Sequence, residues 1–447
     1  MKDDPTGRRG RAVPGTRFSR FGRFGQLATG VAGGMMAEGV RRLAEGERPH
    51  LRDLLLTPGN ARRMAERLSH LRGAAMKLGQ MISMDAGDVL PGDLAEILAR
   101  LRDQADPMPD RQLDHMLAVE WGPQWRSRLA RFDRRPIAAA SIGQVHRART
   151  YDGRELAVKI QYPGVRESID ADVDNVATLL RVSRLVPSGL TIAPLLEEAK
   201  RQLHEEADYV REGEQMTRFA DLLVDDPTFC VPRPVPDLST TRILAMDYMP
   251  GDAIETLANE PQAVRDRQVE RLMALTLREL FLFSLMQTDP NFANYRYQRD
   301  RDRLVLLDFG ATRPIEAQTV ERYRGLLEAA LSGRRETVRE ACVHSGFLDT
   351  GTLAREGRRI DRMIDIGLET FHRPGPFDFG DRRFARLVAE EGQAIAEDPA
   401  NWTLPPNDML FVQRKITGTA LIAARLKARV DVRALIAPYA RGPADAA

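Results

Sequence analysis

The chain has 447 residues, 29% charged and 43% hydrophobic, enough to bury a sizeable core without disulfides or metals. Two cysteines, Cys230 and Cys342, exclude a disulfide framework and a four-cysteine zinc site. The net charge of +2 excludes a strongly polyanion-binding chain, and no apolar run reaches the length of an ordinary transmembrane helix. Of the 66 basic residues only six are lysine: Lys2, Lys77, Lys159, Lys200, Lys415 and Lys427. A lysine retained in so arginine-rich a chain is a weak pointer to a site that needs a compact ammonium.

In chain order, residues 1–40 are a basic, small-residue-rich segment. Seven cations fall within residues 1–24, and Gly30 and Gly34 stand in a GxxxG spacing suited to peripheral membrane contact. Residues 41–130 read as a helical extension, with apolar positions such as Met64, Leu68 and Leu71 at helical spacing. Residues 131–248 carry the strand-like runs Glu155–Ile160 and Arg242–Met246, with helical stretches expected over 165–186 and 191–224. Residues 249–447 read as almost entirely helical, apart from an apolar strand at Leu304–Leu307. A small β-containing half before a larger helical half predicts an α+β, bilobal protein-kinase-like fold behind an N-terminal helical extension.

The chemistry concentrates in two nearby segments. Thr288-Asp289-Pro-Asn-Phe-Ala-Asn294 sets an Asp and an Asn five residues apart, and Leu307-Asp308-Phe-Gly310 adds a second Asp fourteen residues later. In protein kinases the first Asp lies beside the attacking hydroxyl, while the Asn and the Asp of Asp-Phe-Gly hold Mg²⁺ against the nucleotide phosphates. A tight loop followed by a short strand can aim all three oxygen donors at one place. Ala157-Val158-Lys159-Ile160 supplies the strand lysine that pairs with the α and β phosphates. Its acidic partner is sought among Glu205, Glu206, Asp208, Glu212 and Glu214.

Two departures from an ordinary protein kinase stand out. The phosphate-covering segment is alanine-rich, Ala138-Ala139-Ala140-Ser141-Ile142-Gly143-Gln144-Val145-His146, and only Gly143 can adopt positive φ freely, which makes the loop stiffer than a Gly-x-Gly-x-x-Gly loop. After Gly310 the chain runs through Arg313-Pro314 into a helix, without a long activation segment ending in Ala-Pro-Glu. That segment builds the docking surface for protein substrates, so phosphorylation of proteins is not expected.

With these departures the sequence resembles the UbiB (AarF) family of atypical protein-kinase-like proteins, and within it the mitochondrial-type coenzyme Q kinase-like branch. The match is carried by Lys77-Leu-Gly-Gln80, Ala138–His146, Val158–Val165, Glu206-Ala-Asp208, Met286–Asn291 and Leu307–Arg313. The resemblance implies that the Lys-x-Gly-Gln extension folds over the active site, with Lys77 paired to Glu206, Gln80 facing the nucleotide, and Asp208 in the Glu-x-Asp motif. It implies a Lys159–Glu212 pair, Asp289 as the catalytic-loop acid, and Asn294 and Asp308 as Mg²⁺ ligands. The loop of Ala138, Ala139, Ala140, Ser141 and Gly143 is implied to set nucleotide preference, and Met246 and Tyr248 to lie in the linker facing adenine. The expected function is a Mg-ATP-dependent kinase-fold ATPase supporting ubiquinone biosynthesis. Expected partners are the nucleotide, a quinone-like lipid and ubiquinone-biosynthesis enzymes, with peripheral contact to the inner membrane from the cytoplasm and no nucleic acid. The alternatives are a small-molecule or lipid kinase, and a nucleotide-switched scaffold. Lys415 (in Gln413–Gly418) and Lys427 (in Leu426–Arg429) also lie in stretches that resemble the family's C-terminal lobe, and they receive no role.

Overall fold

The computed structural model describes residues 108–182, 193–398, 401 and 407–441. The basic N-terminal segment and most of the helical extension, with Lys77 and Gln80, lie outside the described residues. The chain divides into two compact units. The first holds the described residues up to Thr217 together with Arg233–Met249, and the second holds Arg218–Pro232 and the chain from Pro250 onward.

In the first unit, helix α1 (Asp110–Trp121) begins after Pro109 and buries Leu113, Met116, Leu117 and Trp121, spaced as one helical stripe. The chain continues through β1 (Arg131–Phe132), β2 (Ala138–Ala139), β3 (Gly143–Arg149), β4 (Glu155–Gln161), α2 (Val165–Val182), α3 (Ala193–Glu206) and α4 (Tyr209–Leu222). After β5 (Phe229–Cys230), which belongs to the second unit, β6 (Ile243–Asp247) completes an antiparallel sheet of order β1-β3-β4-β6, with β2 also paired to β3. Successive side chains of β4 point to opposite faces of this sheet. Leu156, Val158 and Ile160 are fully buried and share one core with Leu113, Leu117 and Trp121 of α1. The opposite face therefore carries Ala157, Lys159 and Gln161.

The helical stretch expected over 191–224 is two helices rather than one. The break falls at Ala207–Asp208, where the Asp208 carboxylate accepts the backbone N–H of Arg211 and caps the start of α4. Gly143 does not use its conformational freedom: it is not among the residues at positive φ. Its requirement is space, because a Cβ there would stand 2.4 Å from the Ile160 carbonyl oxygen and 2.8 Å from the Tyr209 hydroxyl. The alanine run forms β2 and a tight turn closed by the Ala140 N–H on the Gly143 carbonyl.

Gln144 and His146, both part of the alanine-loop motif, are buried and serve the framework. The Gln144 carbonyl accepts the Met108 N–H at 2.7 Å, its amide donates to His146 Nε2 at 2.8 Å, and His146 Nδ1 donates to the Asp133 carbonyl at 2.9 Å. Two polar side chains thus tie three separate chain segments together, and the ring stacks on Phe132.

In the second unit, β7 (Asp252–Ala253) precedes α5 (Gln262–Phe281), followed by β8 (Leu285–Gln287), β9 (Tyr295–Gln298), β10 (Arg303–Leu306) and β11 (Thr312–Pro314). One sheet has the order β5-β10-β9-β7, and β8 pairs antiparallel with β11. This half is therefore less purely helical than its sequence suggests. Strands of two to four residues are too short to print an alternating pattern. Helices α6 (Ala317–Ser332), α7 (Arg335–Ser345), α8 (Thr350–Phe371), α9 (Arg383–Ala396), α10 (Asn407–Leu426) and α11 (Val432–Ala440) complete it, with the two-residue strands Phe377–Asp378 and Arg429–Val430 pairing between them. Gly333 and Gly346 end α6 and α7 in the left-handed conformation that suits glycine. The core joins Leu280, Met286, Val320, Tyr323, Met409 and Val412, so α5, β8, α6 and α10 share one interior. Among the described residues no helix is long and apolar enough to cross a membrane.

Burial lowers the pKa of His146 below its ordinary 6.5, outweighing the opposing Asp133 carbonyl. A histidine held neutral contributes stability above its unfolded pKa and loses it as the pH falls. Urea unfolding should therefore show stability declining below about pH 6.5, and His146→Gln should flatten that part of the profile. Identical acid-side slopes in the two proteins would refute this origin.

Candidate functional site

In the first unit, the outward alternation of β4 brings Lys159 to the first turn of α4. Its Nζ lies 2.7 and 2.8 Å from the two oxygens of Glu212, whose side chain is only 1% exposed. Lys159 sits in mid-sheet, opposite Val145 on β3 and Leu244 on β6. The ammonium also stands 5.1 Å from the centroid of the Tyr209 ring, within cation–π range. Two residues along the same face, the Gln161 amide donates to the Ala207 carbonyl at 2.7 Å. The break between α3 and α4 is thus fastened to the strand that carries the lysine. The Ser141 hydroxyl donates to Glu206 at 2.9 Å, joining the alanine-rich turn to the end of α3.

Two residues assigned to the nucleotide linker sit at the end of the sheet. Met246 is buried on β6 opposite Ala157. The Tyr248 N–H donates to the Glu155 carbonyl, and its ring lies under the Arg147 guanidinium at 4.5 Å. Ala138 and Ala139 are exposed on β2, while Gly143 is buried.

In the second unit, the loop from Thr288 to Asn294 is organised around one carbonyl. The backbone oxygen of Asp289 accepts from the Asn291 N–H at 2.8 Å, from the Gln287 side-chain amide at 2.9 Å and from Asn294 Nδ2 at 2.9 Å. Because its nitrogen is engaged there, the Asn294 amide presents its oxygen to the other side. Asn291 caps the short 3-10 turn Phe292–Asn294 by accepting the Ala293 N–H. The Leu307 N–H donates to the Asn294 carbonyl, tying the loop to the segment that leads from β10 into Asp308-Phe-Gly310. Beyond it, Asp308 accepts the Gly310 N–H at 3.0 Å, and Phe309 is buried with its ring 5.0 Å from that of Phe219. Thr288 fixes the other side, its N–H and hydroxyl both donating to the Ala311 carbonyl.

Behind this loop lies a buried cluster to which the sequence patterns assign no role. Lys415 on α10 is 3.1 Å from Glu279 on α5 and 3.4 Å from both the Gln287 side-chain oxygen and the Tyr295 hydroxyl. Burial pushes the Glu279 carboxyl up to about 7, a shift that Lys415 only partly offsets. The Lys415 ammonium itself is held above the ordinary lysine value: burial pulls it down, but Glu279 and Tyr295 more than compensate. Glu279, Gln287, Tyr295 and Lys415 line a small cavity whose wall also includes Asn294 and Asp308, the two metal-ligand candidates. The signals for Lys415 were the scarcity of lysine and its place in a stretch that resembles the family's C-terminal lobe, neither of which gives it a role. Glu279 and Tyr295 carried none, and Gln287 lies inside the Met286–Asn291 motif without a role of its own there.

A strand lysine paired with a helix glutamate, and an Asp–Asn loop bonded to the segment leading into Asp-Phe-Gly, are arrangements that protein kinases use. The α+β kinase-like fold expected from the sequence is the fold of the structure. The chain belongs to the ABC1 atypical kinase-like family, whose domain model matches residues 100–342. It is 38% identical over 424 residues to the mitochondrial atypical kinase COQ8 of Saccharomyces cerevisiae, covering 94% of this chain and 84% of the yeast protein. It is also 38% identical to the mitochondrial atypical kinase COQ8B of Rattus norvegicus over 436 residues, covering 96% of this chain and 81% of the rat protein. Among solved structures it is similar to Rv3197 of Mycobacterium tuberculosis, determined in complex with erythromycin. The TM-score is 0.59 at 25% identity, over 84% of this chain and 95% of that one.

Removing one partner of a buried pair leaves the other charge less well compensated in a poor solvent. Glu212→Ala should therefore lower the unfolding free energy by about 3 kcal/mol in urea titration. A loss below about 1 kcal/mol would show that the pair behaves like an exposed surface contact.

Proposed function

We propose that the chain is a Mg-ATP-dependent, kinase-fold ATPase that supports ubiquinone biosynthesis while bound peripherally at the inner membrane. The carrying observation is the construction of the Asp289–Asn294 loop, in which one backbone carbonyl gathers the Asn294 amide and the Leu307 N–H links the loop to Asp308. The donor set fits Mg²⁺, a hard cation usually held by one or two protein oxygens together with phosphate oxygens. Asn294 offers an amide oxygen and Asp308 a carboxylate. When bound, Mg²⁺ neutralises charge on the phosphates and orients them for transfer. Lys159, held in place by Glu212, binds the α and β phosphates through its ammonium. Asp289 orients the attacking water or hydroxyl and accepts its proton. The turn around Ala140 and Ser141 covers the phosphates, and Met246 and Tyr248 face the adenine.

Hydrolysis is favoured over protein phosphorylation by the stretch after Gly310. Thr312–Pro314 is paired into β11 and α6 begins at Ala317, so little chain remains to form a docking surface. The ubiquinone assignment rests on the family motifs and on the identity shared with the two COQ8 proteins along most of the chain.

With ATP labelled on the γ-phosphate, the label should leave as inorganic phosphate, and quinone profiles of a strain lacking the gene should be restored by the wild-type chain but not by Asp308→Asn. Label recovered in an extracted lipid would instead establish a lipid kinase. Rescue by a variant unable to hydrolyse ATP would establish a nucleotide-switched scaffold.

A further inference from the structure

We propose that Lys415 is a positioning residue for the loop bearing Asp289 and Asn294, acting through Gln287 on one side and Tyr295 on the other. The inference rests on the proposed roles of Asp289 and Asn294 and adds to them the element that holds both residues. Lys415 is fully buried on α10, and its ammonium has three protons to place. Three acceptors of different origin surround it: Glu279 from α5, Gln287 immediately before the loop, and Tyr295 immediately after it. The ammonium therefore contacts both flanks of residues 288–294, at 3.4 Å on each side. It also settles the orientation of the Gln287 amide. An ammonium only donates, so the Gln287 oxygen must face it, and the NH₂ must then face the Asp289 carbonyl, which it meets at 2.9 Å. That carbonyl is the same one that accepts Asn294 Nδ2 and so turns the Asn294 oxygen outward.

A second contact from the same helix supports the arrangement. One turn beyond Lys415, a Cβ on Gly418 would lie 2.0 Å from Pro290 Cγ, so the helix backbone presses directly on the residue after Asp289. The stretch Lys415–Gly418 thus supplies both a charge and a flat surface to one loop. Arginine would not substitute, because a planar fork cannot direct donors to three acceptors set around a point.

Amide hydrogen exchange of the full chain, read on peptides covering residues 287–295 with α6 as internal reference, tests this without nucleotide. Two variants are informative. Lys415→Met with Glu279→Gln removes both charges and leaves no stranded ion, and Gln287→Glu keeps an acceptor for Lys415 but loses the donor to Asp289. In both, exchange over 287–295 should rise on the order of tenfold while α6 is unchanged. In both, the Mg²⁺ concentration for half-maximal ATP binding should also rise severalfold. Wild-type exchange over 287–295 in the two variants, or loosening spread equally over α6, would overturn the proposal and leave Lys415 a packing residue. A wild-type chain that binds ATP equally well without Mg²⁺ would instead sink the metal assignment, and the exchange result would still decide the role of Lys415.

Discussion

A charge removed from water must meet an opposite charge or lose its ionisation. Among the described residues that constraint acts on two ammonium groups, Lys159 in the first unit and Lys415 in the second, each set against a glutamate that is itself almost entirely buried. Neither pair is a cheap way to stabilise a core, since apolar side chains of similar volume would serve as well. What each pair provides is direction. Glu212 fixes where the Lys159 ammonium points, and Glu279 keeps the Lys415 ammonium charged where Gln287 and Tyr295 can receive its protons.

The surrounding architecture is arranged to hold those groups still. The alternation of β4 buries Leu156, Val158 and Ile160 against α1 and thereby turns Lys159 toward α4. The break at Ala207–Asp208 sets Glu212 in the first turn of a new helix, and Gln161 bonds that break to the strand. In the second unit, α5 and α10 deliver Glu279 and Lys415 to the back of a loop whose polar contacts converge on the Asp289 carbonyl. Short strands β8 and β11 close the loop from the side, with Thr288 bonded to Ala311.

Much of this was legible in the sequence because it is written in local patterns. The strand around Lys159, the Asp289–Asn294 spacing and the Asp-Phe-Gly turn are runs whose residue types and separations carry their meaning. What escaped detection depends on contacts between distant segments. Gly143 is an example: its motif suggested backbone freedom, yet its constraint is the nearness of Ile160 and Tyr209, residues 17 and 66 positions away. Gln144 and His146 belong to a motif expected to bind nucleotide, but they bond to Met108 and Asp133 and hold the framework. Lys415 lies 136 residues from Glu279, so its rarity and a family-like stretch could mark it but not disclose its partner. Of the remaining lysines within the described residues, Lys200 makes surface pairs with Asp174 and Glu197, and Lys427 matters for its backbone, ending α10 at φ +50°.

The most direct measurement is a titration of the wild-type chain and Asp308→Asn with ATP, with and without Mg²⁺. The expected result is binding in the wild type that tightens at least roughly tenfold with Mg²⁺, a gain of about 1.4 kcal/mol, and no such gain in the variant. Equal Mg²⁺-dependent affinity in the two proteins would contradict the assignment of Asp308 to the metal, and with it the account of how this kinase-like chain holds its nucleotide.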